Sequence, residues 1–415
     1  MDKKAAVIGT FDTKGEEFLM LIRKLKDLQV DVITIDTGLG KNESFEADYS
    51  AALILKSEGY RMDEIASAEK RAEYLEKTAE KAAQIVLELS ESGKARGAIS
   101  MGGGQGSFIA GIVMRALPIG FPKVLLSTIA LVEGSAKQFK NLNDTVVMNS
   151  LVDISGCNSL LEMTISEAAG CIAGMLENQT ANGINSGKPA VGISAWGVTT
   201  PCVNMVRSLL EADGIEVYVF HSNGDGGMVL ENLIRQGALC AVADLTLPEI
   251  SMPLAGACVS PIPHRLENAG EAGIPQVVAP GGLDMVLASA DQLAAGGRFY
   301  NRKVYQHNPQ VAFVRSSPDE NEAFGKAIAD KLNHAKGPVK LLLPLEGLSA
   351  IDKKGEIFYD PQTDQVLFDT LTSRIMNNRV EILEADSHIN SRSFAEAVVK
   401  SLKEISPELN KLEEK

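Results

Sequence analysis

The segment Ser100–Ser107, SMGGGQGS, sets four glycines between an apolar run and the apolar helical stretch FIAGIVMRAL. Backbone without side chains lets a phosphate approach N–H groups closely, and a helix starting there adds the favourable end of its dipole. Three consecutive glycines cost conformational entropy that a plain turn rarely needs. Gly102, Gly103, Gly104, Gln105, Gly106 and Ser107 therefore read as an anion or nucleotide loop. A second turn, Gly9-Thr10-Phe11-Asp12-Thr13-Lys14-Gly15, offers backbone N–H groups, two hydroxyls and one ammonium. It is not a Walker A loop, because Lys14 precedes the second glycine and no G-K-[ST] follows. Thr13 and Glu16 also have the T-x-x-E spacing of a capping box. The turn reads as a phosphate site or as a helix start, and the two uses can coexist.

Other polar residues fall beside these loops. Asp36 ends the run VDVITID about 20 residues past the opening turn, where a dinucleotide fold places a carboxylate for ribose hydroxyls. Capping the next turn is the alternative. Ser127 and Thr128 follow the run FPKVLLS, and NSLVDISGCNS offers Asp153, Ser155 and Asn158. In the second half, SAWGVTT, SNGDGG and APGGLD occupy comparable positions, either as a second pocket or as turns that need glycine. Trp196 lies in the first of them, available for stacking on a ligand ring or for packing between domains. His221, His264, His307 and His388, with Asp225, Asp284 and Asp386 near in sequence, are candidates for a metal or a general base. No H-x-x-x-H or H-E-x-x-H spacing supports zinc, and no metal residues are assigned. No G-x-S-x-G elbow supports a hydrolase triad.

The elements that position these loops alternate. AAVIG (5–9), VDVITID (30–36), ARGAISM (95–101) and FPKVLLS (121–127) have the continuous apolar character of buried parallel strands. The stretches between them, including a long one from Ala68 to Ser92, have helical spacing. This pattern predicts an α/β fold with parallel sheets covered on both faces, in which ligands sit beyond the carboxyl ends of the strands. It then restarts: KPAVGIS and IEVYVFHSNG, from Lys188, echo KKAAVIGT and VDVITIDTG. GIPQVVAP echoes GFPKVLLS in the same way. QVAFVRS, VKLLLPLEG and VEILEAD complete the second unit, and the tail SPELNKLEEK reads as a solvated end. The expectation is two doubly wound Rossmann-like subdomains, 1–183 and 184–415, with a cleft between them and a Gly/Asn/Ser-rich join at 178–189.

Bulk properties narrow the partners. The 415 residues are 45% hydrophobic and 23% charged, an ordinary globular composition for two domains. The net charge of −14 argues against broad nucleic-acid or anionic-membrane binding. No segment offers about 18 uninterrupted apolar residues, and the N-terminus has no signal-peptide pattern. The five cysteines are far apart and form no C-x-x-C pair, as expected of buried free thiols in the cytoplasm.

In the order GTFDTKGEE, MGGGQGS, NSLVDISGCN, APGGLDMV, HNPQVAFVRSSPDEN and DSHINSRSFAEA, the chain resembles the Tm-one-like ATP-binding family along essentially its whole length. That family is named after the N-terminal region of a plant tobamovirus-resistance protein and includes many bacterial proteins. The resemblance implies two Rossmann-like subdomains, with ATP and Mg2+ bound in the N-terminal one. The family's GT-x-DTK turn falls on Gly9, Thr10, Asp12, Thr13 and Lys14. Its glycine-rich loop falls on Gly102 to Gly106, with Ser107 where a threonine is common. Lys14 would then meet a phosphate, Asp12 a metal-bound water or Lys14 itself, and Asp36 the ribose. Expected partners are a nucleotide and a second copy in a homodimer. An ATP-dependent transferase or ligase acting on a small metabolite in the cleft, through His264, Arg315 and His388, is the alternative. A homo-oligomeric assembly module in which ATP fixes the subdomain angle is a third reading.

Overall fold

The computed structural model describes residues 3–40, 44–57, 59–60, 68–179, 186–257, 259, 261–309 and 311–410. The chain divides into two compact units, Met1–Ile184 and Asn185–Lys415. Residues 180–185 of the expected join lie outside the described residues.

Unit 1 runs β1 (Lys4–Gly9), α1 (Phe11–Asp27), β2 (Asp31–Asp36), α2 (Ala51–Ser57), α3 (Ala68–Glu91), β3 (Gly97–Gly102), α4 (Gly104–Ala116), β4 (Lys123–Ser127), α5 (Ala136–Phe139), β5 (Val146–Asn149) and α6 (Ser159–Glu177). Its five strands form a parallel sheet, sheet A, in the order β2-β1-β3-β4-β5. The four expected strands and the long helix are β1 to β4 and α3. β5 has no counterpart among the expected strands, because its four residues, VVMN, lie half-exposed on the sheet edge. The central strands β3 and β4 are buried along their whole length, as parallel strands covered on both faces must be. On one face, Phe18, Leu21 and Leu25 of α1 pack with Leu161, Ile165 and Ile172 of α6. On the other, Ala82 and Val86 of α3 and Ile109 and Val113 of α4 cover Ile8, Ile33 and Ile35. Each such buried aliphatic or aromatic side chain contributes about 1.5–3 kcal/mol relative to an exposed one. By length and hydropathy alone α6 would pass for a membrane span, but its buried stripe belongs to this core.

Unit 2 runs β6 (Ala190–Ala195), a 3₁₀ turn (Gly197–Thr199), α7 (Thr200–Ala212), β7 (Glu216–His221), α8 (Asp225–Arg235), β8 (Ala241–Thr246), α9 (Pro248–Ala255), α10 (Asn268–Ala272) and β9 (Gln276–Gly281). It continues with β10 (Met285–Ala288), α11 (Ala290–Leu293), β11 (Val304–Asn308), β12 (Val311–Arg315), α12 (Pro318–Leu332), β13 (Val339–Pro344), α13 (Pro361–Arg374), β14 (Val380–Ala385), α14 (Arg392–Ile405) and α15 (Pro407–Asn410). Its parallel sheet, sheet B, has the order β14-β13-β9-β8-β6-β7. Counted from the start of each unit, that is the order of unit 1 with one strand added, so the echo seen in the sequence is a repeated topology. α7 and α14 cover one face through Val203, Val206, Phe394 and Val398. α9, α12 and α13 contribute to the core on the other, with Phe324, Ile328, Leu367 and Phe368.

Two details differ from expectation. β12, within QVAFVRS, does not extend the parallel sheet. It is the middle strand of a separate antiparallel sheet, β10-β12-β11. Trp196 packs edge-on against Phe313 of that strand, at 5.1 Å between ring centroids, within unit 2. The tail is not wholly solvated either: Leu409 is buried with α14.

Candidate functional site

The order β2-β1-β3-β4-β5 reverses direction between β1 and β3. In an open parallel sheet the crevice at such a switch point, beyond the carboxyl ends of the strands, is where ligands bind. The two glycine-bearing turns follow β1 and β3, so the topology brings both to this one place. Their local structures differ.

After β1, Gly9 is a packing residue: a Cβ there would fall inside the Phe18 ring. Thr10 is buried and precedes α1 without a side-chain cap, and Lys14 (φ −136°, ψ 29°) breaks the helical path. Thr13 is not the cap that its spacing with Glu16 suggested. Its hydroxyl bonds Thr10 Oγ1 at 3.1 Å. The start of α1 is instead held by Asp36, whose Oδ1 accepts from Phe11 N at 3.0 Å and from Gly38 N at 2.9 Å. Burial, opposed by those two bonds and aided by the charge of Asp12, pushes the Asp36 carboxyl up to about 6. Asp36 thus fastens the opening turn, and the oxygen so used is not free for a ribose.

Asp12 accepts from Gly40 N at 2.8 Å through Oδ2, while its Oδ1 is buried and meets no donor among the described residues. Lys14 Nζ donates to the Ile154 carbonyl, and Glu17 accepts from Gly156 N at 2.6 Å. These two bonds tie the β1–α1 turn to the loop after β5, which carries the exposed Asp153. Sequence reasoning missed Glu17, whose partner lies 139 residues away. It also missed Thr37, fully buried with an unpartnered hydroxyl at the β2 tip.

After β3 the glycines separate into two roles. Gly102 and Gly106 let the strand end and the first turn of α4 touch, since a Cβ on Gly102 would sit 2.7 Å from Gly106 Cα. Ser107 and Ser127 are buried and bonded to each other at 2.7 Å, fastening α4 to β4. Gly103 and Gly104 are different. Gly103 is the N-cap of α4 and supplies no side-chain cap, and a Cβ on Gly104 would meet nothing within 4 Å. Gly104 and Gln105 are exposed, and a Cβ on Gly103 would be 3.5 Å from the Thr128 hydroxyl. The N–H groups of a first helical turn have no partner within the helix, so this 13-residue helix presents bare donors and its positive dipole end to the crevice. Of the residues expected to hold a nucleotide, Gly103, Gly104, Gln105, Thr128, Asp12, Thr13, Lys14 and Asp153 are at least partly exposed at the tips. Gly9, Thr10, Asp36, Gly102, Gly106, Ser107 and Ser127 are packed beneath them.

Two family descriptions match the chain. "Uncharacterised protein family (UPF0261) N-terminal domain" covers residues 3–181, and the corresponding C-terminal domain covers 188–406. The chain belongs to the UPF0261 family. A UPF0261 protein of Clostridium tetani is 38% identical over 402 residues, covering 97% of this chain and 98% of its own. The tomato (Solanum lycopersicum) ToMV resistance protein Tm-1(GCR237) is also 38% identical, over 76% of this chain and 42% of its own length. These matches agree with the Tm-one-like resemblance. Among solved structures, Acinetobacter baumannii MurG covers 97% of this chain and 99% of its own at 12% identity and a TM-score of 0.22, a likeness that carries no argument.

The tips of sheet B in unit 2 are filled by the protein's own groups. Asn390 Oδ1 accepts from Cys202 N at 3.2 Å near the start of α7, and its Nδ2 donates to the Val198 carbonyl at 2.9 Å. Glu249 accepts from Gly224 N and Gly227 N where α8 begins. α9 starts on Pro248, which has no N–H to offer. Fully buried Arg265 bonds Asp244 through both terminal nitrogens and Glu249 through Nε at 2.7 Å, with Glu231 at 3.5 Å. Burial, opposed chiefly by Arg265, pushes Glu231 up to about 7.

The expected substrate-binding groups of unit 2 are likewise engaged. His388 donates from Nε2 to the Ser349 carbonyl at 2.9 Å and accepts from Asn390 N at Nδ1. His264 is exposed beside Glu267, and Arg315 is buried. Among the described residues, no three His, Cys, Asp or Glu side chains come together to hold a metal ion. Cys157 is exposed rather than buried, and burial pushes the Cys202 thiol up to about 12. Cys258 lies outside the described residues.

Proposed function

We propose that unit 1 is a nucleotide-binding domain that takes ATP with Mg2+ by its phosphates at the tips of sheet A. The observation that carries this reading is the bare start of α4, placed at the switch point of the sheet. The phosphates lie against the N–H groups of Gly104 and Gln105, with Thr128 beside them. Lys14, held in place by the Ile154 carbonyl, keeps two N–H donors for a phosphate oxygen. Asp12 has one buried carboxylate oxygen that meets no donor among the described residues, which suits a hard cation or its bound water. Those two residues and the glycine loop fit magnesium nucleotide. Phe108, Leu131 and Leu151, exposed on α4 and on the loops after β4 and β5, offer apolar surface for the base. Asp36 holds, through Oδ1, the turn that presents Asp12.

Calorimetric titration with ATP, ADP, AMP and inorganic triphosphate at fixed Mg2+ tests the reading. Affinity should rise with the number of phosphates, and triphosphate alone should compete with ATP. Equal affinity for AMP and ATP would refute a phosphate-centred site.

A further inference from the structure

Leu151, just past the end of β5, has its backbone at φ +62°. Val152 N donates to the Ser150 carbonyl at 2.7 Å around it. A three-residue turn closed about a positive φ is the rare and strained kind of γ-turn. A bulky side chain at such a φ is an outlier, and glycine would follow the same path without the penalty. Leu266, at φ +67°, shows how such strain is offset elsewhere in the chain. Its side chain is buried in the core of unit 2, and its N–H meets Glu231 Oε1 at 2.6 Å. Leu151 gains nothing comparable, because its side chain is 60% exposed.

The turn is nevertheless held on both sides. Ser150 is buried, its N–H donates to the Ser127 carbonyl at 3.2 Å, and its hydroxyl donates to the Val152 carbonyl. Ile154 is fully buried with α1 and α6, and its carbonyl accepts from Lys14 Nζ. Gly156 N donates to Glu17 at 2.6 Å. Strain of this sort persists only where the surroundings over-determine it, and it gathers at ligand clamps.

The same anchors fix where Leu151 stands. Its loop runs from the tip of β5 to the turn after β1, and β4 and β3 lie between those strands in sheet A. The loop therefore passes the tips at which α4 begins. Thr128 N donates to the Gly102 carbonyl at 3.1 Å, so the ends of β3, β4 and β5 are joined in series through Thr128 and Ser150. Two inter-strand spacings, about 10 Å, separate the Leu151 turn from the end of β3. A ligand held by its phosphates at Gly104 and Gln105 brings its other end to this rim.

We infer that Leu151 is the residue that packs against the base of the nucleotide bound by unit 1, its strained turn holding an apolar side chain in the open before the ligand arrives. The inference rests on the phosphate site proposed above and adds the group that reads the far end of that ligand. Phe108 and Leu131, the other exposed apolar side chains there, stand on backbone of negative φ, so of the three only Leu151 is held outward against strain. A contact ordered in advance adds affinity without the entropy loss of ordering a loop.

Calorimetric titration of the full chain with Mg-ATP and with inorganic triphosphate at the same Mg2+ tests this, beside thermal unfolding without ligand. In Leu151→Gly the affinity for ATP should fall about fivefold or more while that for triphosphate stays unchanged. Its unfolding temperature should hold or rise, relief of the strained φ outweighing the freedom of glycine in the unfolded chain. Leu151→Met keeps an apolar side chain at the rim and should retain most of the affinity for ATP. An equal loss for both ligands, or no loss for ATP, would overturn the inference and leave the phosphate site standing. A lowered unfolding temperature in Leu151→Gly would show a side chain kept for the fold, and would overturn it too. Failure of triphosphate to bind the unaltered chain would refute the phosphate site itself, and the inference with it.

Discussion

At the tip of β3, α4 begins on bare Gly103 and Gly104, whereas at the equivalent tip of β8, α9 begins on Pro248 and Glu249. The strand orders of the two units coincide through five strands, so topology delivers the same edge twice. What stands there is decided by a few first-turn residues. In unit 1 the start of α4 carries no side-chain cap. In unit 2 Asn390 serves α7, Glu249 serves α8, and residues 347–350, after β13, bond to the loops after β6, β9 and β14. A repeated fold therefore carries one edge suited to an anion and one closed on itself.

The comparison breaks most visibly at Arg265, a single cation paired with three carboxyls, Glu231, Asp244 and Glu249, behind the closed edge. Arg265→Met leaves those acids buried without their partner and should cost about 3–5 kcal/mol. Urea unfolding, with exchange of sheet A and sheet B amides as separate readouts, should show the loss in unit 2 alone. An equal loss of protection in β1 and β3 would mean that the two edges are not independent. A smaller change sharpens the contrast: Asn390→Ala bares the start of α7 at a cost of about 1 kcal/mol. Thermal unfolding should register that modest loss, and a neutral result would show that Asn390 is not the group satisfying Cys202 N.

Much of the architecture is legible in the residues. Continuous apolar runs give β1 to β4, and the echo of KKAAVIGT in KPAVGIS foretells the repeated sheet. β12 misleads because VAFVR has the same apolar density as a parallel strand, and its antiparallel partners β10 and β11 are short strands of four and five residues. For the site, glycine spacing locates both turns, but it does not separate a glycine that admits a phosphate from one that admits a neighbouring atom. Gly9 lies under Phe18 and Gly102 against Gly106, contacts made only after the helices dock. The arginine clusters are hidden for a similar reason. Arg265 meets Glu231 across 34 residues and Arg315 meets Asp364 across 49, with no local pattern to mark either.

Gly104 and Gly197 allow the two edges to be compared directly, because both are exposed and a side chain on either would meet nothing within 4 Å. Calorimetric titration of Mg-ATP into Gly104→Val and Gly197→Val, beside the unaltered chain, separates the edges without unfolding either. The account predicts that Gly104→Val weakens binding at least about tenfold, a loss of about 1.4 kcal/mol, while Gly197→Val binds as before. Undiminished binding by Gly104→Val, or a loss confined to Gly197→Val, would contradict it.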